Sequence, residues 1–311
     1  RMLLDHIPSM RILHVASAVG VVIGIVLLGV AASGVGGRWL LLAVLFAALA
    51  SYSFIATNTT AAALSVDPQR AGTASALIGA GSFNTAEGNY IGITGGGSGD
   101  RGNGGDGVRI EAGSSNTAIR DNTIAGNVGA GIQVRDATTV ETTIVRNRIG
   151  INAAASFVVP NDGDGILVDA NAQRSNIGFA NSPANANIIR GNGGAGIRVA
   201  SGQEHRIRVN NIGPNTGLGI DLGAGGVTAN DPLDADAGAN ALQNFPLLAN
   251  VLRNGGMVSM NVALDSMPDT DFNVNLYRNA DCDASGHGEA EAFVGELGIS
   301  VGASGSAAVS A

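Results

Sequence analysis

Two short motifs alternate along the middle of this chain, and their alternation restricts its fold more than any other feature. The first, G-x-G-[VI]-x-[VIL], begins at Gly105, Gly129, Gly163, Gly194 and Gly217. The second, N-x-I-x-x-[NT], begins at Asn89, Asn122, Asn147, Asn187 and Asn210. The second leads the first by 7 residues three times and by 16 twice, which marks nine-residue insertions at 95–103 and 153–161. Copies of the first motif are spaced 24, 34, 31 and 23 residues apart, and removing one insertion of nine and one of seven brings the middle values to 25 and 24. A period near 24 with short alternating strands predicts the coils of a parallel β-helix, and the leucine frame of a leucine-rich repeat is absent. Coils stacked at ~4.8 Å would turn Val108/Ile110, Ile132/Val134, Ile166/Val168, Ile197/Val199 and Ile220/Leu222 inward as aliphatic columns. Glycines of the first motif suit tight corners. Asn122, Asn147, Asn187 and Asn210 are predicted to stack as amides at one turn.

Outside the repeat the chain changes character. Residues 12–32 form a run of 21 without a charge, long enough at ~1.5 Å per residue to match ~30 Å of hydrocarbon. A second apolar run covers 39–57 after the short loop SGVGGR. The expectation is a two-helix transmembrane hairpin, with a membrane as partner through residues 12–57. Arg1, Arg11 and Arg70 on one side against Arg38 on the other put both ends of that hairpin in the cytoplasm. The acidic residues lie mostly after Ala80, and the net charge of −8 argues against a nucleic-acid partner. All 17 basic residues are arginine. One cysteine, Cys282, excludes an internal disulfide framework, and His6, His14, His205 and His287 show no metal-binding spacing.

Residues 37–80, above all ALSVDPQRAGTASALIGA, resemble a cytoplasmic loop and the start of a helix in the bicyclomycin-resistance branch of the major facilitator superfamily of drug-efflux transporters. The resemblance implies a transporter fragment, yet two spans and a helix start enclose no cavity, so transport is not expected. From about Gly81 to Phe245 the chain resembles right-handed β-helix regions of large bacterial secreted or surface proteins, through NTAEGNYIGI, SNIGFANSPANANIIRGNGGAGIRVA and the closing GLGIDLGAGGVTANDPLDADAGANALQNFPLL. These regions are related in fold to pectate lyases and polygalacturonases, but a fold does not carry a function. The tail alternates like antiparallel strands (Val258, Met260, Val262; Phe272, Val274, Leu276) and resembles the small β-sandwich module that follows such β-helices, here incomplete.

The expected fold class is therefore mainly β: a right-handed parallel β-helix at 81–228, preceded by the transmembrane hairpin at 1–80. An acidic closing segment at 229–250 and an incomplete β-sandwich-like module at 251–311 follow. A cytoplasm-facing transporter piece joined to an exported scaffold reads as a chimera of two unrelated families, membrane-associated at one end and of secreted or cell-surface type at the other. An unmatched junction would leave the first coil, near 89–94, poorly covered.

Chemistry is sparse. Glycosidic hydrolysis needs two carboxylates at a defined separation, and Asp106 and Asp164 lie two coils apart with Asp162 nearby. Aspartate beside glycine also suits a plain turn. The Gly-His-Gly at 286–288 stands in the tail rather than beside these residues. Arg109, Gln133, Leu167, Arg198 and Asp221 share one outward column and Glu111, Arg135 and Asp169 another, a mixed-sign pattern that suits ion-pair ladders. Asp231, Asp234 and Asp236 crowd a turn-rich loop and suit a hard cation such as Ca²⁺, although EF-hand spacing is missing. No cofactor other than possible Ca²⁺ is implied. The leading expectation is a non-catalytic scaffold that binds polysaccharide or another surface. A carbohydrate-active enzyme is the first alternative, and a drug-efflux fragment the second.

Overall fold

The computed structural model describes residues 9–34, 37, 39–48, 76–78, 81–94, 99–180, 182–281 and 285–310, in two compact units divided after Asp67. In the first unit α1 (Ser9–Ser33) and residues 39–48 are helical. α1 carries no charge after Arg11, and Gly34 ends it at φ 67°, its N–H donating to Val30 O at 3.1 Å. Among the described residues no helix is long and apolar enough to cross a membrane. The transmembrane hairpin expected over 12–57 is thus unsupported, and its part beyond residue 48 lies outside the described residues.

The second unit opens with three parallel sheets. The first contains β1 (Ala76–Ile78), β4 (Val108–Ile110), β7 (Ile132–Arg135), β10 (Ile166–Asp169), β13 (Ile197–Val199) and β16 (Ile220–Leu222). The second contains β2 (Thr85–Glu87), β5 (Ala118–Arg120), β8 (Thr143–Val145), β11 (Asn176–Gly178) and β14 (Arg206–Arg208). The third contains β3 (Tyr90–Ile91), β6 (Thr123–Ile124), β9 (Arg148–Ile149), β12 (Ile188–Ile189) and β15 (Asn211–Ile212). Each circuit of the chain adds one strand to each sheet, which makes a parallel stack of the β-helix kind. The register follows the motif, with Val108, Ile132, Ile166, Ile197 and Ile220 paired in series. A Cβ at Gly131 would lie 2.6 Å from Ile149 Cγ2 and 2.7 Å from Gly165 O, so the second glycine of this motif copy admits the next coil.

Inward pairs from Val108/Ile110 to Ile197/Val199 are fully buried. Ile220, expected to match them, is 43 % exposed, because β16 is the last strand of its column. At the other end the poor cover expected near 89–94 is not found: Ile91 and Ile93 are 1 % and 0 % exposed. Ile93 packs with Ala125 and with Val159, which the second insertion supplies. Both insertions fold back through antiparallel bridges, Ile93↔Asp100 and Ile151↔Val158, and Gly126 N–H donates to Pro160 O at 3.1 Å. Residues 76–78, taken from the transporter resemblance as the start of a helix, are a strand in register with β4. Ala-Leu-Ile there has the apolar-x-apolar spacing of the later strands.

The chain then forms β17 (Leu247–Asn254), β18 (Met257–Asp265), β19 (Thr270–Arg278), β20 (Ala292–Val301) and β21 (Ser306–Ser310). These make two antiparallel sheets, β17-β18-β21 and β19-β20, around one apolar cluster of Val262, Leu264, Val274, Ile299 and Val301.

Candidate functional site

The two GDG turns hold the carboxylates that sequence reasoning singled out. Asp106 Oδ1 accepts from the Ala130 N–H at 2.9 Å, and its Oδ2 accepts from Arg109 Nε at 3.1 Å and Nη2 at 2.8 Å. Asp164 Oδ1 accepts from the Ala195 N–H at 2.7 Å. Each aspartate thus reaches one coil onward and ties down the same backbone amide of the next turn. Burial pushes the Asp164 carboxyl up, opposed by the Ala195 N–H and by Arg198. Asp162 is exposed. Asp106 and Asp164 are equivalent positions two coils apart, hence about 10 Å by strand stacking, each turned to its own alanine amide.

The outward columns are an ion-pair carpet. Arg135 Nε stands 3.9 Å from Glu111 Oε2 and 4.0 Å from Asp169 Oδ1, and Gln133 Nε2 donates to Asp169 Oδ2 at 3.0 Å. Half-exposed pairs of this type contribute at most ~1 kcal/mol each.

Two asparagine ladders run through the stack. In the expected one, Nδ2 donates to the next Oδ1 from Asn89 to Asn122, Asn147, Asn187 and Asn210, at 3.0, 3.0, 3.0 and 2.9 Å. A second ladder links Asn103, Asn127, Asn161, Asn192 and Asn215 at 2.7, 2.7, 2.9 and 2.9 Å. Sequence reasoning missed it, although each of these residues stands two before a first-motif copy, as N-x-G-x-G. Near the corner of the last full coil, His205 is buried and its Nδ1 accepts from the Ser175 N–H at 3.2 Å. Burial holds the imidazole below its ordinary range, against the upward pull of a hydrogen bond with the Ala172 backbone.

Later segments close the end of the stack. Asn240 Oδ1 accepts from the His205 N–H at 2.8 Å, and Asn275 Oδ1 from the Val209 N–H at 3.2 Å. Ala290 O accepts from the Ile212 N–H at 2.8 Å and Glu289 Oε1 from the Asn215 N–H at 3.3 Å. These partners stand 35 to 78 residues away in the chain, and no local motif announces them.

Asp231, Asp234 and Asp236 converge, with one carboxylate oxygen of each within 4.8 Å of the others. Asp234 is fully engaged, accepting from the Asn244 N–H at 2.9 Å and from Ser266 Oγ at 2.6 Å. Asp231 Oδ1 and Asp236 Oδ1 are shielded from solvent and have no hydrogen-bond partner among the described residues. Desolvation, then the charges of Asp231 and Asp234, push the Asp236 carboxyl up. All-oxygen donors suit a hard cation, and the remaining positions of a six- to eight-oxygen shell would fall to water or backbone. Cys282 lies outside the described residues, and His287 packs edge-on against Phe245 at 5.0 Å. No protein-family model matches this chain, and no curated protein matches it.

Proposed function

We propose that residues 76–222 are a non-catalytic scaffold of the bacterial surface or secreted type, right-handed in its winding, whose long faces bind polysaccharide or another surface. The observation that carries this reading is the use made of Asp106 and Asp164. Each spends a carboxylate oxygen on the backbone of the following coil, a turn-pinning task. A general acid and base would face one substrate bond across a shared gap. Glu111, Arg135 and Asp169 likewise neutralise one another. The antiparallel sheets serve as a small sandwich module closing the stack. Residues 12–57 serve as the part that meets a membrane, supported by the exposed Val21, Val22, Ile25 and Leu28 of α1. On this reading the chain joins pieces of two families, a transport-incompetent efflux fragment and the scaffold.

Incubating the full chain with pectin, alginate and neutral glucans tests the proposal. Binding without depolymerisation is the expected outcome, and cleavage that disappears in Asp164→Asn would establish the carbohydrate-active alternative instead. Ca²⁺ at Asp231, Asp234 and Asp236 is the cation reading, favoured by the two shielded, unpartnered carboxylate oxygens. Removing Ca²⁺ with EDTA should lower Tm, and an unchanged Tm on removal and re-addition would exclude it.

A further inference from the structure

The sheets of the stack treat their outward charges differently. On the first sheet Arg109 is bridged to Asp106, and Arg135 lies between Glu111 and Asp169. The outward residues of the third sheet run in one file along the stack axis. They are Tyr90, Thr123, Arg148, Ile188 and Asn211, paired in series at ~4.8 Å per coil. Thr123 is covered, and the other four are half-buried. Arg190, just after β12, lays its side chain across Gly213 and donates from Nη2 to Asn211 Oδ1 at 3.0 Å. Among the described residues no carboxylate stands within 4.0 Å of Arg148 or Arg190. The Nε of each is shielded and unpartnered, so both guanidinium groups hold more donors than the protein accepts. Asn211 Nδ2 and the Tyr90 hydroxyl likewise have no hydrogen-bond partner among the described residues. The corner beside the file adds no spare negative charge. Arg120 is bridged to Glu87, and Arg146 binds Asp121 at 2.6 and 2.8 Å. The hydrogen bond from Arg146, then the charges of Arg146, Arg120 and Arg148, hold the Asp121 carboxyl below its ordinary range against desolvation. Val158 of the second insertion packs against Gly191, next after Arg190, and walls the file on that side.

We propose that the outward face of the third sheet binds a linear glycan bearing carboxylate or sulfate groups, laid along the file and held by Arg148 and Arg190. This rests on the polysaccharide-binding reading above and adds to it a face and a charge class. Guanidinium groups meet such anions through charge-assisted hydrogen bonds, stronger than those between neutral groups. The Asn211 amide and the Tyr90 hydroxyl supply uncharged partners for hydroxyls on the same line. Charges farther than ~8 Å are largely screened at physiological salt, so these two arginines outweigh the net charge of −8 in deciding what approaches. A single file with a wall beside it suits a chain rather than a flat membrane.

The test titrates the full chain with dextran, carboxymethyl-dextran and dextran sulfate, which share a backbone and differ in charge. Binding of one or both charged polymers is expected, at least tenfold tighter than dextran, and the pair tells carboxylate from sulfate. Arg148→Gln/Arg190→Gln should lower that affinity at least tenfold. Arg253→Gln/Arg278→Gln, the same loss of charge on β17 and β19, should leave it within twofold. Unchanged amide protection at Ile149 and Ile189 establishes that the first variant stays folded. If it is lost, Arg148→Gln alone takes its place, with an expected loss of at least threefold. Equal affinity for dextran, or equal losses in the two double variants, would overturn the inference and leave the scaffold reading standing. Binding of none of the three overturns it too, and the wider reading falls with it only if pectin, alginate and neutral glucans are also refused. Phosphatidylglycerol vesicles bound through Arg148 and Arg190, with the charged dextrans refused, would overturn it in favour of a lipid surface.

Discussion

The parallel stack and the antiparallel sheets are built from strands of opposite habit. In β4, β10 and β13 burial alternates strictly, and Asn122, Asn147 and Asn187 at one corner are buried too, each held by an asparagine one coil away. In β17 every residue is exposed, including Leu247, Leu248, Val251 and Leu252, while the buried residues of β18 and β20 gather in one cluster. The difference shows where the information for order resides. A stack repeats the same short contacts at every coil, so one motif specifies many of them. A two-sheet module relies on contacts made once each, and a strand at its edge is free to remain uncovered.

Substitutions in the two regions should therefore differ most where the repeat is densest. Asn147→Ala is expected to have the largest effect. Asn147 Oδ1 accepts from Asn122 N–H and Nδ2, and its own Nδ2 donates to Ile119 O, Val145 O and Asn187 Oδ1. Stranding these buried groups should cost about 3–5 kcal/mol, read by denaturant unfolding. A loss below ~1 kcal/mol would mean that the ladder adds little. Next comes Ile166→Ala, at about 2–5 kcal/mol for a fully buried aliphatic, against less than ~1 kcal/mol for Ile220→Ala at the open end. Equal losses would remove the distinction between the middle of the column and its end.

Acid should act on the stack through His205. Its folded pKa is depressed by burial, so the unfolded chain binds the proton more readily and stability falls as pH drops below about 6.5. Thermal unfolding between pH 7.5 and 5 should show this fall, and His205→Asn should flatten it. A slope unchanged by that substitution would place the dependence elsewhere. The smallest effect belongs to the module edge. Leu252→Ser on β17 should alter stability by no more than ~0.5 kcal/mol and reduce self-association in sedimentation velocity.

The legibility of each region in the sequence follows the same division. Register, inward columns and the ladder through Asn122, Asn147, Asn187 and Asn210 were legible because a residue type recurs at a fixed phase. The second ladder is equally legible in principle, but Asn103 and Asn161 are the last residues of the two insertions, which hides their place in the repeat. β1 is hidden because Ala76, Leu77 and Ile78 are apolar throughout and lie inside the transporter-like stretch 37–80, so no alternation sets the strand apart. The role of Asp106 and Asp164 was legible only as a choice between turn and catalysis, and Ala130 and Ala195 decide how the structure uses them. Closure by Asn240, Asn275, Glu289 and Ala290 depends on single long-range contacts that no periodicity reveals.

Amide hydrogen exchange on the full chain with and without Asn147→Ala tests most directly the claim that polar contacts between coils hold the stack as one unit. The account predicts faster exchange in the substituted coil and in both neighbours, at Ile119, Ile124, Ile144, Ile149 and Ile189, with β18 and β20 unchanged. Faster exchange confined to residues 146–148, or spread equally into β18 and β20, would contradict it.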